Sequence, residues 1–383
     1  MIYFDNSATT RPLDEVTALV SDSMRGCFGN ASSLHALGVE AERRLRRAAE
    51  TLAASVPCPS GSVVFTSGGT ESINTAIKGY MEANPGRGAH IVTSEGEHPA
   101  AAESVRALMR RGIEATFLPL EKNGRIDPER LAAAIRPDTA LITLIHVNNE
   151  TGAINPVDDI LHARDMRNPA TAIHLDCVQS FGKIQTDFMD RGCAMASVSA
   201  HKFHGPKGAG ALFVRKGIRL EPLLHGGGQQ GGLRSGTESI ALAEGMALAA
   251  GRAAESRSTA PDTIRPVRDA LLQGIDGRAE YHVLSPEDGY PGILCIAFPG
   301  IPAEVFVHAL EAEEVFVSTG SACSSRKKKS SAVLRSMGVR DDWAASAVRF
   351  SFSVYNTVSE AQEASEAVLR VLGRYSVRRV RKT

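Results

Sequence analysis

The sequence has no excess of charge of either sign: 43 lysines and arginines stand against 43 aspartates and glutamates. A nucleic-acid binder is normally basic over its binding domain, so no direct nucleic-acid contact is expected. No stretch approaches the ~18 consecutive apolar residues of a membrane span, so no membrane association is expected. The opening Met1-Ile2-Tyr3-Phe4-Asp5-Asn6 has no basic and no apolar leader segment. No targeting signal is therefore expected, and the expected location is cytoplasmic. The six cysteines, Cys27, Cys58, Cys177, Cys193, Cys295 and Cys323, form no C-x-x-C pair and are irregularly spaced. That pattern disfavours a zinc site or a disulfide framework and fits reduced thiols. Neither glycine nor proline is enriched, which excludes collagen-like repeats and wholesale disorder.

What is present is a chain of 383 residues, 43% apolar and 22% charged, long enough for two or three domains with a sizeable core. Short apolar runs alternate with helical patterns. Val63–Thr66 precedes a helix over Thr70–Met81, and His90–Thr93 precedes one over Ala100–Arg111. Ala140–Val147 is almost continuously apolar, as expected of a strand buried on both faces. Thr171–Asp176, Met195–Ala200 and Ala209–Arg215 continue the series. The order predicts an α/β architecture, a mostly parallel sheet sandwiched by helices. The polar segment Arg252–Thr263, ending near Pro261, reads as the tail of a long helix at a boundary. Beyond it, strands at Ile293–Phe298, Val315–Ser318 and Arg349–Val354, with helices at Glu304–Glu313 and Ser359–Leu372, predict a smaller α+β domain. The basic tail reads as a frayed, solvated end.

Five segments carry candidate chemistry. Ser67-Gly68-Gly69-Thr70 joins a strand to a helix, where free backbone N–H groups and two glycines suit a phosphate; Thr70 as a plain N-cap is the alternative. The segment matches neither G-x-x-x-x-G-K-[ST] nor G-x-G-x-x-G, which disfavours a nucleotide. Lys202, in Ser199-Ala200-His201-Lys202, ends a strand before a Gly-Pro turn; it is either a surface lysine or a desolvated amine able to form a Schiff base with an aldehyde. Asp176 ends an apolar strand, where a carboxylate needs a partner such as a cationic ring nitrogen, or serves as an N-cap. Gln179 follows it, able to donate to a ring hydroxyl or to face solvent. His98 can stack on a flat cofactor and move protons, or be structural. Asn148-Asn149-Glu150 ends another strand. All five fall at the carboxyl edge of one predicted sheet, where open α/β sheets bind ligands. Together they ask for a ligand with a phosphate, an aldehyde and an aromatic nitrogen, and pyridoxal 5'-phosphate has all three.

On these residues the sequence resembles the cysteine desulfurases, pyridoxal-phosphate enzymes of the class V aminotransferase family. The resemblance runs essentially end to end. It includes Tyr3–Thr10, Phe28-Gly29-Asn30, Ser67–Asn74, Val147–Gly152, Asp176–Ser180, Ser199–Gly210, His225–Gln229, Arg234–Thr237 and, most specifically, Ser318–Ser325. It implies the fold type I of pyridoxal-phosphate transferases. A seven-stranded large domain would span 15–255, and a small domain, 1–14 with 256–383, would carry the catalytic cysteine. It implies Lys202 as the lysine that binds the cofactor aldehyde. Gly69, Thr70, Ser199 and His201 would lie at the phosphate, His98 on the ring and Asp176 at its nitrogen. Asn149 and Gln179 would contact the ring's oxygen substituents. Thr237 resembles the residue that reaches the neighbouring subunit's phosphate, which implies a homodimer. Arg349 would clamp the substrate carboxylate, assisted by Asn30; a planar guanidinium suits that bidentate task.

The resemblance further implies that Cys323 takes sulfur from L-cysteine as a persulfide, leaving alanine, and hands it to an acceptor protein. Cys323 lies in a Gly- and Ser-rich segment followed by Arg326-Lys327-Lys328-Lys329, and nearby cations favour a thiolate. The other cysteines read as packing residues. About ten residues separate Cys323 from Val333-Leu334-Arg335. This is similar to the long-loop branch, which serves iron–sulfur scaffolds or tRNA thiolation. The basic run resembles members working with tRNA-thiolation proteins, or is a solvated loop. Ala31 stands where the family usually has proline, and Phe352–Tyr355 lacks a glycine often found there. Three other readings stay open. Another class V enzyme, such as an aminotransferase or selenocysteine lyase, would not need Cys323. A non-catalytic scaffold or a redox thiol sensor would not need the cofactor.

Overall fold

The computed structural model describes residues 1–56, 61–185, 188–320 and 331–380. Cys58, the Ser321–Ser325 part of the most specific motif with Cys323, the Arg326–Lys329 run and the last three residues lie outside the described residues.

The chain opens on a short strand, β1 (Ile2–Tyr3), and then builds a seven-stranded sheet from β2 (Gly61–Thr66), β3 (His90–Ser94), β4 (Glu114–Leu118), β5 (Thr139–Ile145), β6 (Ala172–Asp176), β7 (Met195–Ser199) and β8 (Gly210–Arg215). Their spatial order is β2-β8-β7-β6-β5-β3-β4. β8 is antiparallel to both its neighbours, and every other adjacent pair is parallel. β2 therefore points the same way as the parallel strands, and six strands end on one edge. The near-continuous apolar run of β5 has a direct cause. Leu141 belongs to one buried cluster and Ile142 and Leu144 to another, so both faces are covered. A polar row crosses the middle of the sheet: His174 bonds Thr143 Oγ1 and Ser197 Oγ, both at 2.8 Å. Burial pushes its imidazole down to about 3, so it is neutral.

A second sheet has the order β12-β13-β10-β9, formed by β9 (His282–Val283), β10 (Ile293–Ala297), β12 (Ser318–Thr319) and β13 (Ala347–Ser351), all antiparallel. β11 (Val315–Phe316) pairs in parallel with β1. These elements share a core with the helices Ala260–Ile275 and Val358–Val380, centred on Phe4, Leu271, Phe306, Phe350 and Val368.

Several boundaries differ from the sequence reading. The strand expected at Val315–Ser318 is two, because Val315–Phe316 pairs with β1 while Ser318–Thr319 pairs with β13. The helix expected over Thr70–Met81 runs over residues 69–83 and contains a π-helical turn, Thr75–Gly79. Gly79 is needed there, since a Cβ on it would lie 2.5 Å from the Glu221 carbonyl. The boundary near Pro261 is a break between Ile240–Ser256 and Ala260–Ile275, with Pro261 in the first turn of the second helix, where its missing N–H costs little. The closing helix continues to Val380. Among the described residues no helix is long and apolar enough to cross a membrane.

Candidate active site

The carboxyl edge of the seven-stranded sheet collects the expected residues. Ser199 ends β7, and the tight turn Ala200–Lys202 follows it, closed where Ser199 pairs with Gly210 of β8. The turn sends Lys202 Nζ towards the N-terminal segment, where it donates to the carbonyls of Ser7 and Ala8, each at 2.7 Å. His201 Nδ1 lies 3.2 Å from Thr9 Oγ1, and burial, then Lys202, hold its imidazole down at about 4.

Asp176 ends β6 fully enclosed. Burial pushes its carboxyl up to about 6, against the pull of the Val178 amide, which donates to Oδ1 at 3.0 Å, and of Lys202. His98 precedes the helix Pro99–Met109 and caps it, its Nδ1 accepting from the Ala100 amide at 3.1 Å. Burial and the neighbouring Lys202 hold its imidazole at about 4, so the ring is neutral with its proton on Nε2. Glu97 beside it is fully buried and bonded by Ser94 Oγ at 2.6 Å; burial lifts its carboxyl to about 8. Gln179 donates to the Ser7 carbonyl at 2.8 Å and accepts from Lys183 Nζ at 3.0 Å. Burial, reinforced by Lys202 and Arg349, lowers the Lys183 amine to about 7.

At the other end of the edge, β2 runs into Gly68, whose φ of +154° favours glycine, and Gly69 opens the helix of residues 69–83. A Cβ on Gly69 would meet Val178 Cγ2 at 2.8 Å and Ser199 Cβ at 3.5 Å. Among the described residues no side chain caps this helix end. The missing side chain thus lets Val178 and Ser199 pack against the turn, beside backbone donors that no described side chain caps. Glu71, in the first turn, is held by Arg234 at 2.9 Å, which ties the Arg234–Thr237 segment to this end of the sheet.

Arg349 lies on β13, 2% exposed. Its Nη2 pairs with Asp5 at 3.0 Å, and its Nη1 donates to the Asn149 carbonyl at 2.8 Å. Its Nε is buried and has no partner among the described residues. Ser7 joins the two halves. Its amide donates to Ser351 Oγ of β13 and its hydroxyl to the Asn149 carbonyl, while its own carbonyl accepts from Lys202 and Gln179.

Gly69, His98, Asn149, Asp176, Gln179, Ser199, His201, Lys202 and Arg349 therefore belong to one contiguous site. Thr70 is exposed at the mouth of the glycine turn. Asn30 and Thr237 are exposed, and the described hydrogen bonds of Asn30 close its own loop at Ser32 and Ser33. Asp5, Ser7, Ala8, Lys183 and Glu150 were not anticipated as site residues. Ser7 and Ala8 contribute carbonyls, which leave no trace in residue type. Glu150 and Lys183 did leave a signal: a carboxylate in the polar run that follows an apolar strand, and an amine four residues beyond Gln179.

The sequence matches the family Aminotransferase class-V over residues 2–363, and the chain belongs to that family. Within it, the chain is 41% identical over 366 residues to the "NifS/IcsS protein homolog" of Lactobacillus delbrueckii subsp. bulgaricus, covering 95% of each chain. It is 35% identical to "Cysteine desulfurase IscS" of Dictyoglomus turgidum, covering 97% of this chain and 94% of that one. Among solved structures, a "NIFS-LIKE PROTEIN" superposes with a TM-score of 0.91 at 35% identity, over 97% of this chain and 99% of its own.

Proposed function

We propose that this chain is a cysteine desulfurase that binds pyridoxal 5'-phosphate, converts L-cysteine to L-alanine and carries the sulfur on Cys323. The observation that carries the reading is the juxtaposition of the Lys202 amine with a buried carboxyl at Asp176, a neutral imidazole at His98 and the glycine turn packed against Ser199, whose helix end no described side chain caps. Those residues fit the cofactor. The glycine turn and uncapped helix end suit its phosphate, Lys202 its aldehyde, and Asp176 its ring nitrogen. Burial raises the Asp176 carboxyl to about 6 even against the Val178 amide and Lys202, and a cationic ring nitrogen is the further partner that would keep it ionised. When bound, the cofactor supplies a sink for the electron pair released at the substrate α-carbon.

The chain's residues do the rest. Arg349 binds the substrate carboxylate, with Nε still available and Asp5 holding the guanidinium in place. Lys202 Nζ takes up the α-proton, and the Ser7 and Ala8 carbonyls hold the resulting ammonium. His98, neutral and protonated at Nε2, can pass a proton to the departing group. Cys323 thiolate attacks the substrate sulfur. An S–S bond forms, the C–S bond breaks with its electrons left on the β-carbon, and protonation there gives alanine. The product on the enzyme is a Cys323 persulfide, passed to an acceptor protein, either an iron–sulfur scaffold or a tRNA-thiolation protein. Thr237, exposed beside Arg234, is assigned to the phosphate of a second subunit, so the working unit is a homodimer.

The cofactor assignment is tested by adding pyridoxal phosphate, trapping with borohydride and mapping the modified peptide. A visible absorbance band and a mass increase on Lys202, lost in Lys202→Ala, are expected. Trapping elsewhere, or no band at all, overturns the assignment.

A further inference from the structure

Lys183 is an amine in the site to which the chemistry above gives no task. It stands at the end of the turns that follow β6. Its amide donates to the Ser180 carbonyl at 3.0 Å, and Gly182, at φ +72°, lets the chain turn back. Its Nζ donates to Gln179 Oε1 at 3.0 Å and lies 5.9 Å from the centre of the Tyr290 ring. The charged side chains that act on it, Lys202 and Arg349, are both cations, and among the described residues no carboxylate pairs with it. A desolvated amine among cations is a costly arrangement, and its hydrogen bond goes to Gln179.

That bond decides how the Gln179 amide is turned. An ammonium only donates and a carbonyl only accepts, so Oε1 faces Lys183 and Nε2 faces Ser7, whose carbonyl it reaches at 2.8 Å. Lys202 Nζ rests on the same carbonyl oxygen at 2.7 Å. The amide nitrogen carries a second hydrogen, which Ser7 leaves free beside the Lys202 amine.

We infer that Lys183 is a positioning residue: it holds the Gln179 amide with its donor turned towards Lys202, where a ring oxygen of the bound cofactor is to be met. The inference rests on the pyridoxal-phosphate reading and on Gln179 meeting that oxygen, as the family resemblance implies. Without Lys183, Oε1 loses the partner that holds it. The amide can then turn its acceptor towards the ring oxygen, where two acceptors would face each other.

The test is the dissociation constant of pyridoxal phosphate, measured by titrating the cofactor-free protein and following the visible band. It compares wild type, Lys183→Met, Lys183→Arg, Gln179→Ala and the Lys183→Met, Gln179→Ala double variant, with thermal unfolding of each cofactor-free form recorded alongside. Lys183→Met fills similar space without a donor and should weaken binding about tenfold. Lys183→Arg keeps a charged donor, and the cleft of about 530 Å³ that Lys183 and Lys202 both line gives it room. It should stay within about threefold of wild type. Gln179→Ala should weaken binding about thirtyfold, and the double variant should match it within about twofold, because Lys183 then has nothing left to position. Losses that multiply in the double variant would overturn the inference, as would wild-type affinity in Lys183→Met. If Lys183→Met fails to fold, Lys183→Gln, uncharged and one bond shorter, carries the same test with the same expectation. A wild type that shows no visible band with pyridoxal phosphate would instead overturn the cofactor reading, and the inference with it.

Discussion

Lys202 and Arg349 are the two cations on which the site turns, and both are held by the same short N-terminal stretch. Two carbonyls hold the Lys202 amine, and Asp5 holds the Arg349 guanidinium. Burying a guanidinium costs several kcal/mol unless it is paired. Asp5→Asn should therefore cost about 1–3 kcal/mol of stability, below the ~3–5 of a fully buried pair because Asp5 keeps some contact with water. Chemical denaturation of wild type and variant measures this, and an unchanged midpoint would show that Asn149 alone supports the arginine. Arg349→Lys keeps the charge but loses the fork. It should raise KM for L-cysteine by about tenfold or more while leaving cofactor absorbance intact. An unchanged KM would place the substrate carboxylate elsewhere.

Among the elements, the turn between β2 and its helix is the most sensitive to a single atom. Gly69→Ala puts a methyl group 2.8 Å from Val178 Cγ2, at the turn assigned to phosphate. Cofactor affinity should fall about tenfold and recover in part in the Gly69→Ala, Val178→Ala double variant. Loss that the second substitution does not relieve would mean that the methyl group blocks something other than Val178. The start of the helix after β3 carries a different signature. Glu97 is held protonated to about pH 8, so the folded state keeps a proton that the unfolded chain loses above its ordinary value near 4.5. The contribution of Glu97 to the stability of the cofactor-free protein should fall as pH rises across that window, by up to about 1.4 kcal/mol per pH unit, against the opposite contribution of the buried imidazoles. Glu97→Gln should remove the Glu97 contribution, and thermal unfolding from pH 5 to 8 checks it. These elements differ in how far they could be read from sequence. Strands β5, β6 and β7 announce themselves by apolar runs, and the polar residues at or just beyond their ends, Asn149, Asp176 and Ser199, mark the site because a sheet buried on both faces puts its exceptions at the ends. The split of Val315–Ser318 between two sheets has no such mark, since two-residue strands are set by their neighbours. The role of Ser7 and Ala8 was illegible because it belongs to the backbone.

At the scale of the whole molecule, the N-terminal segment bridges the two sheets. β1 pairs with β11, Ser7 is bonded to Ser351 of β13, and its carbonyl receives Lys202 from the turn after β7. Arg349 and Lys202, to which the substrate carboxylate and the cofactor aldehyde are assigned in the proposed function, come from different sheets, and this bridge connects them. The proposed shared site makes a further demand. Sedimentation of the cofactor-loaded protein should give twice the 40.7 kDa of one chain, and a monomer with full activity would remove Thr237 from the site. The central claim is that this edge of the sheet desulfurates cysteine through Cys323. Alanine and persulfide formation from L-cysteine, measured for wild type and Cys323→Ala with the visible spectrum recorded alongside, tests it most directly. The wild type should be yellow and make both products, and Cys323→Ala should keep the colour and lose turnover. A yellow Cys323→Ala variant that still releases alanine and sulfide at the wild-type rate would contradict the account.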